Sequence, residues 1–113
     1  MSTPYTPEAG DIVWLNFTPQ TGHEQAGRRP AVVLSPQAYN HKTGLLVCVP
    51  ITNQIKGYPF EVVLSGTEAS GAALADQVKS LDWQSRQAQY KSQISGQEMH
   101  DIKAKIAALL ALE

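Results

Sequence analysis

The sequence holds a single cysteine, Cys48, so no internal disulfide can close. With no second cysteine and only three scattered histidines, a structural zinc site has no support. Cys48 lies inside Leu45-Leu46-Val47-Cys48-Val49, where a small buried hydrophobe is the expected role. No apolar run approaches the ~20 residues that a membrane span needs. The N-terminus, Met1-Ser2-Thr3-Pro4-Tyr5-Thr6-Pro7-Glu8, has neither a basic start nor the apolar core of an export signal. A cytoplasmic chain with no membrane partner is therefore expected. Neither sign of charge dominates: the formal net charge is −1, which argues against a protein that coats duplex DNA. An enzyme that grips a few nucleotides of single strand needs only a local cationic cleft, and Arg28, Arg29, Lys56 and Lys79 can form one if the fold gathers them.

Repeats, low-complexity tracts and domain-dividing linkers are also missing, so residues 1–113 read as one small domain with one modest core. After a proline-bearing tail, Gly10-Asp11 turns the chain into a strand, Ile12 to Phe17. Alternation puts Val13, Leu15 and Phe17 on one face, expected as core, and Ile12, Trp14 and Asn16 on the other. Trp14 is a candidate interface residue. Further strands are expected at Ala31 to Leu34, at Leu45 to Val49 with Pro50 as its stop, at Tyr58 to Leu64, at Ala72 to Leu81 and at Gln89 to Ile94. Pro36 to Thr43 reads as a short helical turn or loop closed by Gly44. The chain closes with a helix whose start, Ser95-Gly96-Gln97-Glu98, fits a capping box. Met99, Ile102, Ile106, Leu109 and Leu110 then recur at three- and four-residue steps as a packing stripe. Short strands with a late helix predict a mainly β fold, a strongly bent antiparallel sheet or small barrel, with a C-terminal helix.

One stretch stands apart. Gly22 to Gly27 is polar and glycine-bounded, a mobile loop by its residues, whereas Pro30 to Leu34 is a buried strand. Arg28 and Arg29 sit at the joint, beside the acidic Glu24 of the loop. A planar guanidinium bridges two phosphate oxygens and keeps its charge at any working pH, which suits a phosphodiester ligand.

The run Glu24-Gln25-Ala26-Gly27-Arg28-Arg29-Pro30-Ala31-Val32-Val33-Leu34-Ser35-Pro36 resembles the signature of the MazF/PemK family, the toxin endoribonucleases of bacterial toxin–antitoxin pairs. The resemblance continues through Tyr39-Asn40-His41-Lys42-Thr43-Gly44, Val49-Pro50-Ile51-Thr52, Lys56-Gly57-Tyr58-Pro59-Phe60-Glu61-Val62 and Ala73-Leu74-Ala75-Asp76-Gln77-Val78-Lys79-Ser80, and fades after about Trp83. It implies an SH3-like small barrel of the MazF/CcdB toxin type, usually a homodimer. It also implies metal-independent cleavage of single-stranded mRNA at a short sequence, with an ACA-like site as the guess, and a cognate antitoxin that covers the RNA groove. Neither cofactor nor metal is called for.

Such cleavage requires an aligned and deprotonated 2′-OH, a stabilised phosphorane and a protonated 5′ leaving oxygen. The attack leaves a 2′,3′-cyclic phosphate and a 5′-OH and excludes DNA as substrate. By the resemblance, Arg29 and Thr52 match the family's central catalytic pair, with Glu24 a frequent third member. An ordinary guanidinium is a poor general base, so Glu24 is the better proton acceptor on chemical grounds, with His23 a weaker candidate. Arg28, Lys56, Gln77 and Lys79 are the expected RNA-binding residues, and Asp76 is expected to fix a loop by accepting backbone amides. Two alternatives stand beside this reading: a non-enzymatic poison of the same fold that binds DNA gyrase, and an inert barrel that only binds RNA or protein.

Overall fold

The computed structural model describes residues 4–17, 27–65 and 71–112. Among these residues, seven strands and two helices follow one another as β1 (Asp11–Phe17), β2 (Gly27–Val33), α1 (Gln37–Thr43), β3 (Leu45–Thr52), β4 (Glu61–Leu64), β5 (Gly71–Leu74), β6 (Lys79–Asp82), β7 (Gln89–Gln93) and α2 (Gly96–Leu109). They build one bent antiparallel sheet in the order β4-β5-β3-β2-β1-β7, with β6 also pairing β3. The mainly β fold with a C-terminal helix is thus the observed one.

β3 is the hub. One edge pairs β2 through Cys48, Val49 and Pro50. The other edge changes partner along its length, meeting β6 from Leu45 to Cys48 and β5 at Ile51 and Thr52. This change explains why Pro50 does not end the strand, as its missing donor suggests. Val47 turns its backbone polar groups toward the β2 side, accepting from Leu34 N at 2.7 Å and donating to Ser35 Oγ at 2.8 Å. Pro50, three residues on, faces the opposite edge, in the gap between the β6 and β5 ladders, where an N–H has no partner to lose.

Two other strands differ from the alternation pattern. Tyr58 to Leu64 is strand only from Glu61, because Glu61 N bonds back to the Tyr58 carbonyl and closes a turn. Ala72 to Leu81 divides into β5 and β6 at a turn in which Gln77 N donates to the Leu74 carbonyl.

Because the sheet curls, it has two buried faces. On one, Ile12, Val32, Val49, Ile51, Val62, Leu64, Ala73 and Ala75 pack with Ile102 of α2. On the other, Val13, Leu15, Ala31, Val33, Leu46 and Cys48 pack with Trp83, flanked by Phe17 and Leu81. Ile12, set opposite the expected core, is therefore as buried as Val13. α2 starts with the predicted capping box, Ser95 and Glu98 satisfying each other's amide groups. Of its apolar stripe, Ile102 and Ile106 meet the sheet, while Leu109 and Leu110 are exposed. No helix among the described residues is long and apolar enough to cross a membrane.

Candidate active site

Antiparallel partners share a sheet face, which fixes where the polar side chains go. Leu15 pairs Arg29, Phe17 pairs Gly27, Ala31 pairs Pro50, and Cys48 pairs Lys79. Arg29, Pro50 and Lys79 therefore lie on the face of the second core, and so does Thr52, two residues beyond Pro50. The β2–β3 pairs end at Ala31 and Pro50, and Arg29 and Thr52 each lie two residues beyond that last pair. The site is the open end of this face, where buried Leu15, Ala31 and Cys48 give way to half-buried Phe17, Arg29, Thr52 and Lys79.

Each side chain there is held by its backbone. Arg29 rises from the middle of β2, and its guanidinium has no hydrogen-bond or ion-pair partner among the described residues. Thr52 ends β3, and its Oγ1 accepts from Gln54 N at 3.1 Å. With a lone pair occupied in this way, the hydroxyl proton is left to donate outward. Gly71 opens β5 at φ +122°, and a Cβ there would collide with the Thr52 carbonyl oxygen. Only glycine lets β5 come this close behind Thr52. Lys79 Nζ lies 5.9 Å from the Phe17 ring centroid. The same charge reaches the buried Cys48 thiol, which burial pushes up to about 12 against the weaker opposing pull of Lys79 and Arg86. That thiol is no nucleophile at neutral pH.

Arg28 alternates to the opposite face, with Asn16 as its register partner. Its guanidinium donates to Asn16 Oδ1 (2.8 Å), the Gln87 carbonyl (2.6 Å) and Gln89 Oε1 (3.2 Å). It thereby ties the β2 entrance to the turn before β7, where Gln87 sits at φ 54°. Arg86 completes this clamp by donating to the Asn16 carbonyl.

Two loops border the site. The first, residues 53–60, follows Thr52 and carries exposed Lys56. The second, residues 75–78, precedes Lys79 and carries exposed Gln77. Asp76 does not collect backbone amides as expected; its Oδ2 accepts from the Tyr58 hydroxyl at 2.7 Å. The amide-collecting carboxylate is Glu61, which takes the N–H groups of Lys56 and Gly57 at 3.1–3.2 Å. Glu24 and His23 lie outside the described residues. Trp14 is half-buried on β1, with Lys91 Nζ 5.4 Å from its ring centroid. Among the described residues no group of His, Cys, Asp or Glu gathers as metal ligands.

A sequence model of the PemK-like, MazF-like toxins of type II toxin–antitoxin systems matches residues 8–110. The chain belongs to this family. It is 57% identical over 110 residues to the endoribonuclease toxin MazF of Escherichia coli K12, covering 97% of this chain and 99% of that one. Against the Escherichia coli endoribonuclease PemK it is 30% identical over 108 residues, covering 91% and 81% of the two chains. A crystal structure of MazE–MazF from Deinococcus radiodurans superimposes with a TM-score of 0.91 at 50% identity, covering 97% of this chain and all of that one. The MazF branch is the supported one, and a gyrase-binding poison of the same fold finds no support among these relatives.

Phe17 and the Tyr58–Asp76 pair are the features that sequence reasoning missed. Phe17 reads as core by alternation, and only its position as the last residue before a long polar stretch of sequence hints at an exposed edge. Nothing in the sequence links Tyr58 to Asp76.

Proposed function

We propose that the open face around Arg29 and Thr52 binds single-stranded RNA and cuts it without a metal. The chain is an endoribonuclease toxin by family; the residue roles, the chemistry and the products are our reading. The observation that supports it is the β2–β3 register, which ends at Ala31 and Pro50, two residues short of Arg29 and Thr52 on the same face.

In this reading the scissile phosphate sits between the two side chains. The 2′-OH attacks phosphorus in line, the 5′ oxygen leaves, and the products are a 2′,3′-cyclic phosphate and a 5′-OH. Arg29 clamps the non-bridging oxygens as negative charge builds on the phosphorane, and the Thr52 hydroxyl donates to the same group. Glu24 takes the proton of the 2′-OH, and a water molecule supplies the proton that turns the departing 5′ oxygen into the 5′-OH. Phe17 and Lys79 hold the neighbouring nucleotide, while Lys56 and Gln77 on the bordering loops read base edges and hold flanking phosphates. Arg28 serves the site from behind by fixing the strand that carries Arg29. The toxin acts in the cytoplasm as a homodimer, with Trp14 at a partner interface, and a cognate antitoxin covers the RNA face.

The test is incubation of purified protein with a long RNA in excess EDTA, followed by mapping of the ends. Cuts at one short sequence with cyclic phosphate and 5′-OH ends are expected, and Arg29→Ala or Thr52→Ala should slow them by about 10²–10³. Intact RNA from folded, antitoxin-free protein would refute the reading, and cutting that survives both substitutions would move the chemistry elsewhere.

A further inference from the structure

We infer that the Tyr58–Asp76 hydrogen bond is a positioning pair that sets the spacing of the two RNA-reading loops and thereby sharpens the choice of cleavage sequence. The inference rests on the reading that this face cuts RNA.

Several contacts hold loop 53–60, and they do different work. Glu61 gathers the amides of Lys56 and Gly57 and so fixes the loop on its own strand. Gly57, at φ 75°, supplies the left-handed residue that this fold-back needs. Lys105 of α2 donates from Nζ to the Pro59 carbonyl at 2.7 Å and fixes the loop on the helix. Neither contact touches the second loop. The Tyr58 hydroxyl, by contrast, crosses to Asp76 Oδ2 at 2.7 Å, next to Gln77 and three residues before Lys79. Ala75 N donates to the Phe60 carbonyl at 2.9 Å and joins the loops at their bases, so the Tyr58–Asp76 bond is the side-chain tie between them nearer to Lys56 and Gln77.

Fold stability does not account for this carboxylate. Asp76 Oδ1 is buried and has no hydrogen-bond partner among the described residues. A buried acceptor left unpaired opposes folding, so a neutral residue would serve the turn better. Tyr58, for its part, is 47% exposed and contributes little to either core. The bond also resists deprotonation, because the hydrogen bond to Asp76 and its negative charge hold the Tyr58 hydroxyl above its ordinary pKa.

A reader built from two loops discriminates only if their separation is fixed. A wrong base is rejected when it leaves polar groups unpaired, and loops free to shift apart can re-pair them. Loss of the tie should thus spread cleavage over near-matching sequences while the phosphate clamp of Arg29 and Thr52, on strands, keeps its geometry.

The experiment compares wild type, Tyr58→Phe, Asp76→Asn and Asp76→Ala on one long RNA, counting ends at the preferred sequence and at its single-base neighbours. Tyr58→Phe and Asp76→Ala should lower the preferred-to-neighbour ratio by about tenfold. Cleavage at the preferred sequence should change by less than about threefold. Asp76→Asn should retain the ratio, since its amide oxygen still accepts from Tyr58. An unchanged ratio in Tyr58→Phe, with a loss in Asp76→Asn, would overturn the inference and make Asp76 a direct contact to RNA. Equal slowing at all sequences would overturn it in favour of a catalytic or structural role. Failure of the wild type itself to cut would instead remove the RNA-cleaving reading on which the inference stands.

Discussion

Lys79 Nζ lies 5.9 Å from the centroid of the Phe17 ring, so a cation from β6 meets an aromatic face from β1 across the sheet surface that bears Arg29. The ring steadies the ammonium by roughly 0.5–1 kcal/mol. This arrangement keeps a flexible lysine over the site instead of loose in solvent. Lys79→Ala should therefore raise KM while leaving kcat nearly unchanged. The slope of log affinity against log salt should flatten by roughly 0.7, the share of one phosphate contact on a single strand. Binding measured at several salt concentrations checks this, and an unaltered slope would remove Lys79 from the phosphate contacts.

Arg28 should behave differently from its neighbour. Its donors are engaged with Asn16, Gln87 and Gln89. Arg28→Ala is expected to lower unfolding free energy by about 1 kcal/mol, the usual net worth of such exposed polar contacts. It should leave the salt slope of RNA binding intact. Denaturant titration together with binding assays separates the two arginines; a flattened slope in Arg28→Ala would return it to the RNA contacts.

Gly71 couples stability to the placement of Thr52. Its φ of +122° and the closeness of the Thr52 carbonyl leave no room for a methyl group. Gly71→Ala should destabilise the fold by more than ~1 kcal/mol and displace Thr52. Cleavage should fall even below the melting range, measured at a temperature where the variant is folded. Full activity there would show that β5 does not position Thr52.

Glu98 gives a pH prediction. Partial burial works to raise its pKa, but donors from Ser95 and Ser65 outweigh this, and the net shift is downward. A carboxylate with a depressed folded pKa contributes stability above its unfolded pKa and loses it as pH falls through the folded value. Glu98→Gln should lower the denaturation midpoint at neutral pH. The gap from wild type should close on acidification below the ordinary value of 4.5. A gap independent of pH would mean that the charge of Glu98 is immaterial to the cap.

Much of this was legible in the residues. The capping box at Ser95, the strand at Ile12 to Phe17 and the sheet class follow from local chemistry and alternation. What escaped depends on partners distant in sequence. Pro50 stays in β3 only because β6 and β5 leave a gap beside it, and Ile12 is buried only because the sheet curls over both faces. Arg29 and Thr52 stood out through family likeness, and their shared face followed only once the β2–β3 register was known. The Tyr58–Asp76 contact joins residues 18 apart through their side chains alone, so no periodicity could reveal it.

The end of β3 at Thr52 has a consequence for how such toxins diversify. Arg29 and Thr52, the side chains proposed to clamp the scissile phosphate, stand on strands, and Lys56 and Gln77, proposed to choose where the bond is broken, stand on the loops that begin just after Thr52 and just before Lys79. Drift in those loops can retarget the enzyme to new messages while its cutting edge stays untouched.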